Sequence, residues 1–186
     1  VLHWCLALVL GAGATGEFAA ATTIVSLANP FILGAGNLLM PVTAHTFARS
    51  GAAGVWRLAL RSTRWLAAGL ACFSLSVALA GEQALTVVYG GQFGGQRLTV
   101  TLLAVAISVA ALGLSAEHGL RASDRPRAIF AANFLALVVT LGLAACLVPT
   151  HGNVGAAISL LAGNLVGCVM RWWAFRFWIL DRQEQA

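Results

Sequence analysis

The sequence predicts an all-α integral membrane protein, a helical bundle of six transmembrane helices with the first cut short. Three observations carry this. Of 186 residues 60% are hydrophobic and only 9% charged, with a mean hydropathy of +0.87, against about 25% charged residues in a soluble domain. The apolar residues come in runs of roughly 20, the length that crosses a hydrocarbon core as a helix. The 11 basic residues are all arginine, and they cluster in and beside the segments that join the runs.

The six runs are Val1 to Gly13, Phe18 to Phe47, Leu58 to Ala80, Leu98 to Gly119, Arg127 to Val148, and Val154 to Trp173. The second is long for one crossing and contains Asn29-Pro30 and the Gly34 to Gly36 stretch, so a kink or tilt is predicted there. The connectors are GATGE, RSGAAG, GEQ with YGGQFGGQ, RASDRPR and PTHGN. In RASDRPR, Ser123 or Asp124 is suited to cap the next helix and Pro126 to its first turn. In PTHGN, Pro149 is expected to stop one helix and Gly152 to permit the reversal. Residues 1–178 thus form one transmembrane unit and 179–186 a polar tail. At Val1 the apolar run begins without a basic n-region or cleavage site, which predicts an upstream portion rather than a signal peptide.

Orientation follows from the arginines. Alternate connectors carry Arg49, Arg57, Arg61 and Arg64, then Arg121, Arg125 and Arg127, then Arg171, Arg176 and Arg182, whereas the opposite set carries only Arg97. The positive-inside rule makes the first set, and the C-terminus, cytoplasmic. Trp56, Trp65, Trp172, Trp173 and Trp178 flank that set as an interfacial belt. Arg57, Arg61 and Arg64 share one helix face by their spacing of four and three. If the hydrocarbon core begins near Trp65, all three reach the headgroups by snorkelling. That reading suffices for the stripe, and a grip on an anionic substrate coexists with it only if the stripe faces a cavity.

Several chemistries find no support. The chain has no lysine, hence no Walker-type phosphate loop, and it has no HExxH motif or pair of embedded carboxylates. Glu17, Glu82, Glu117 and Asp124 fall near helix ends, and His3, His45, His118 and His151 are scattered. No catalytic residue, metal site or cofactor is expected, and the protein reads as a non-enzyme. Nucleic-acid binding lacks its basic face with interleaved aromatics. Cys5, Cys72, Cys146 and Cys168 each lie inside an apolar run and read as small buried hydrophobes. Glu117-His118 has the composition of a proton-coupling pair, with a solvated helix end as the simpler reading.

Within the runs the costly residues are Asn29, Asn37, Asn133 and Asn164. A membrane asparagine usually hydrogen-bonds a neighbouring helix, worth about 1 kcal/mol. Asn29 and Asn37 are the preferred cavity candidates because they flank a Pro/Gly-interrupted stretch, although they stand about 80° apart on an ideal helix. Gly163 and Gly167 form a GxxxG, a hint of close helix packing.

Taken in order, GEFAAATTIVSLANP at Gly16 to Pro30, LLMPVTAHTFARSG at Leu38 to Gly51, TVVYGGQFGGQ, LRASDRPRAIFAAN and PTHGNVGAAIS at Pro149 to Ser159 resemble the C-terminal half of bacterial Wzx-type polysaccharide flippases. These are lipid-linked oligosaccharide exporters of the multidrug/oligosaccharidyl-lipid/polysaccharide superfamily. The resemblance implies one lobe of a two-lobe inner-membrane transporter, with the N-terminal lobe missing from this chain. It implies an undecaprenyl-diphosphate-linked glycan as substrate, carried by alternating access through a cation-lined cavity, with membrane lipids as the other partners. Asn29, Asn37, Arg61, Arg64 and His118 are the cavity candidates. A drug or metabolite exporter of the same superfamily would favour an embedded acid. A glycan-assembly enzyme would want a large outer loop rich in Arg, His or carboxylates, and a non-transporting scaffold would lack a water-filled groove.

Overall fold

The computed structural model describes the backbone of residues 2–90 and 95–183 and the side chains of residues 11, 13–90 and 95–179. Every regular element among them is helical. The helices are α1 (Leu2–Val25), a 3-10 turn (Ser26–Ala28), α2 (Asn29–Tyr89), α3 (Arg97–Leu112), α4 (Leu114–Ala122) and α5 (Pro126–Gln183). Three stretches have the length and apolar character to cross a membrane: Gly13–Tyr89, Arg97–Ala122 and Pro126–Ile179. Exposed Leu27, Leu38, Leu79, Val87, Phe130 and Phe134 fit an apolar surrounding, since in water so much apolar surface would mark an interaction site.

The expected six separate helices are therefore not the elements seen, and the physical reason is glycine. Each long helix is interrupted at a single glycine with φ near +60°, Gly51 in α2 (φ 60°) and Gly152 in α5 (φ 55°), which a side chain would strain. Residues equidistant from Gly152 meet across it. A Cβ built on Gly155 would touch Leu147, one on Gly163 would touch Thr140 and Ala136, and one on Gly167 would touch Ala136. Arms 126–151 and 153–183 are therefore antiparallel. Around Gly51 the same holds, with Phe31 over Gly69 and Leu66 packed with Ile32, Ala35 and Leu39. A third positive-φ glycine, Gly11, interrupts α1.

Other contacts complete the topology. Arm 52–89 runs antiparallel to α3 and α4, as Gly81 meets Val100, Ser74 bonds Ser108 (2.9 Å) and Ser62 bonds Ser115 (3.0 Å). Arm 153–183 runs parallel to α3 and α4, with Asn164 bonded to the Ala106 carbonyl (3.0 Å) and Phe175 against Gly119. One end of the bundle collects Glu17, Gln96 and Asn153. The other collects the Gly51 and Asp124 turns with an aromatic core of Trp56, Phe175 and Trp178. Arg49, Arg57, Arg61, Arg64, Arg121, Arg125, Arg127, Arg171 and Arg176 all fall at that second end.

Several local expectations are corrected. Pro149 does not stop its helix, because the chain stays helical to Gly152. Ser123 caps nothing ahead of it and donates instead to the Gly119 carbonyl behind, while Asp124 takes a left-handed φ of 56° to turn the chain. The Gly34 to Gly36 stretch is unbroken helix, and the irregularity sits about two turns earlier in the 3-10 turn. The turn expected over Gly81 to Gln96 is shorter, since α2 runs on to Tyr89. Cys72 and Cys146 are exposed, and Cys168 is buried. The side chains of His3, Cys5 and Arg182, and residues 184–186 of the tail, lie outside the described residues.

Candidate functional site

Helix α2 between Pro30 and His45 carries the first unusual surface. At about 100° per residue, Pro30, Gly34, Asn37, Pro41, Ala44 and His45 form one stripe, and all six are exposed. Asn37 and His45 give it polar side chains, and the other four are small or cyclic. Its opposite face packs inward through Ile32, Ala35, Leu39 and buried Thr43. The stripe therefore points away from the bundle, flanked by exposed Leu33 and Met40 on one side and Phe31, Leu38 and Val42 on the other. Pro41 removes the N–H that the Asn37 carbonyl would accept. The backbone oxygen and side-chain amide of Asn37 thus add polarity at the same place, and no described residue bonds that amide. In hydrocarbon each such group costs several kcal/mol, so water or another protein is the favourable neighbour.

Asn29 belongs elsewhere. Together with Asn164, Thr22 and Ser26 it lines a cavity of about 190 Å³ between α1, α3 and α5, so the structure separates it from Asn37. Arg61 and Arg64 are exposed on arm 52–89. Asn133 is exposed on arm 126–151.

His118 sits behind the stripe, not on it. Its Nε2 lies 3.6 Å from the position a Cβ on Gly36 would take, and both ring nitrogens are buried without a hydrogen-bond partner. Beside it is the strongest electrostatic feature among the described residues. Glu117 accepts from Arg171 Nη1 (2.9 Å) through one oxygen and from Arg121 Nη2 (2.6 Å) through the other. The Glu117 and Arg171 side chains are 12% and 10% exposed, so the solvated helix end expected for Glu117 is a largely buried ion pair. Arg171, expected at the interface, is likewise buried.

The packing explains how an arginine fits there. Its guanidinium lies against Gly113 and Gly167, where a Cβ would come within 3.2–3.3 Å, and its Nε donates to the Gly167 carbonyl (3.0 Å). The neighbouring Trp172 indole donates to the Leu112 carbonyl (3.1 Å), at the α3–α4 break. At the opposite end Glu17 Oε2 accepts from Gln96 (2.7 Å) and Asn153 (3.1 Å). That carboxylate ties together the starts of three parallel segments. A signal for Arg171 exists in the sequence: Gly163, Gly167 and Arg171 follow at steps of four, which puts the arginine on the packing face of the glycines.

The geometry is that of a self-braced helical unit with one partly polar face left over. No protein-family model, curated protein or solved structure matches this chain.

Proposed function

We propose that this chain is a lobe of a membrane transporter that moves lipid-linked polysaccharide precursors across the bacterial inner membrane. The observation that carries the proposal is the outward stripe from Pro30 to His45, polar at Asn37 and His45. A lipid-facing helix would not hold Asn37 and Pro41 there, whereas the wall of an aqueous cavity shared with a second lobe would. In this reading the reversals at Gly51 and Gly152 divide the long helices into separate crossings. Six segments then result, the first lying ahead of Gly11.

The arginine-rich end faces the cytoplasm by the positive-inside rule. Arg61 and Arg64 stand at the cavity mouth, where cations suit a diphosphate without the cost of a charge at mid-membrane. The Glu117–Arg171 and Glu17–Gln96–Asn153 clusters brace the lobe at its two ends. Such bracing favours rocking of the whole lobe over sliding of single helices, and transport by rocking needs no covalent step.

The test is complementation. The full gene, with whatever reading frame precedes Val1, is expressed in a bacterium lacking its own exporter for a lipid-linked O-antigen unit. Restored surface polysaccharide that is lost in Asn37→Leu supports the reading. No restoration by a correctly inserted, stable protein argues against it.

A further inference from the structure

A large groove lies outside the stripe on arm 29–50, and of the residues given to transport it shares only Arg61, at its head. It has a volume of about 640 Å³, opens to the exterior between the two arms of α2, and is lined by Phe31, Leu38, Trp65, Ala68, Gly69 and Cys72 among others. Ser62 supplies its one hydroxyl. From Ser62 to Cys72 it runs about 15 Å along the helix at 1.5 Å per residue, half the roughly 30 Å hydrocarbon thickness. That is the depth of one leaflet.

Its head is charged in one sense only. Arg61, Trp65, Ala68 and Cys72 follow at steps of four, three and four, so they share an edge of arm 52–89, and all four are exposed. Arg61 thus stands one turn above Trp65, which is itself 72% exposed. Arg57 and Arg64 lie on the same arm, whose single carboxylate, Glu82, is near its far end, and arm 29–50 has none. Small residues Ala68 and Gly69 keep the wall low, and the Phe31 ring lies over Gly69, 3.1 Å from where a Cβ would be. A basic group with an aromatic at headgroup level, above an apolar slot one leaflet deep, matches a lipid with an anionic head.

We infer that the α2 groove is a binding site for one anionic phospholipid of the leaflet at the arginine-rich end, its phosphate at Arg61 and an acyl chain along Trp65 to Cys72. The inference rests on the membrane setting and gives Arg61 to a resident lipid whatever the protein transports. Its test is tryptophan quenching in nanodiscs with a minor fraction of brominated-chain phosphatidylglycerol or brominated-chain phosphatidylcholine. The Trp65 contribution is isolated by subtracting Trp65→Phe. Bromo-phosphatidylglycerol is expected to reach Trp65 with about fivefold higher occupancy, the preference one arginine gives at an anionic surface. Arg61→Gln should abolish the preference, and Ala68→Phe should lower quenching by both lipids. Equal quenching by the two lipids in the unmodified protein, or a preference that persists in Arg61→Gln, overturns the inference.

Discussion

Removing the negative charge of Glu117 should destabilise the fold more than removing the positive charge of Arg171, because the two partners are left in different company. In Glu117→Gln the Arg171 guanidinium stays buried between Gly113 and Gly167 with no counterion. Breaking a buried pair in this way costs about 3–5 kcal/mol. In Arg171→Met the Glu117 carboxylate keeps Arg121, which is 54% exposed and able to follow it. The loss is then nearer one charge-assisted hydrogen bond, about 1.5–3 kcal/mol. The double variant strands no charge, and its apolar replacement packs against the same glycines. It should lie within about 2 kcal/mol of the parent, since the amide at position 117 can still accept from Arg121 and no charge is left buried without a partner. The assay is reversible unfolding of the purified protein in mixed micelles with increasing SDS, run as a double-mutant cycle. A coupling of about 2 kcal/mol or more is expected. Additivity within about 0.5 kcal/mol, the behaviour of sites that do not touch, would refute the buried pair.

Other predictions follow from the packing. Gly163→Ala forces a Cβ against Thr140 and the Ala136 carbonyl and should destabilise by about 1–3 kcal/mol, whereas Gly142→Ala meets nothing within 4 Å and should stabilise by up to about 1 kcal/mol; the same unfolding assay compares them. His118→Phe removes two buried, unpartnered nitrogens and should raise stability by about 1 kcal/mol, while a clear loss would reveal a partner for the ring. A cysteine at Ala53 and one at His151 should react with an impermeant maleimide from opposite sides of the membrane, because Gly51 and Gly152 lie at opposite ends of the bundle. Labelling of both from one side would break the topology.

The helical class is legible in composition because a bilayer admits few structures and long apolar runs announce one of them. Reversal points are partly legible. Gly152 reads as a turn and is one, but the proline three residues before it reads as a stop and is not. Inside a helical hairpin the backbone stays helical up to the glycine, since only a positive-φ residue is needed for the reversal. The charged cluster is largely hidden. Glu117, placed near a helix end in sequence, reads as solvated until arm 153–183 is known to lie beside α4. That neighbour is a long-range fact, hinted at only by the spacing of Gly163, Gly167 and Arg171. Asn29 and Asn37 share proximity to a break, yet helix phase sends them to different surfaces. Their 80° offset is the signal of that separation.

The central claim is that the stripe on α2 faces water while its flanks face lipid. It is tested most directly by single cysteines along residues 33–44 of a cysteine-free background, probed in native membranes with an impermeant maleimide. Gly34, Asn37 and Ala44 positions should label, and Leu33, Leu38 and Met40 positions should stay protected. Uniform protection, or labelling that ignores the helix face, would contradict an aqueous cavity on this side of the protein.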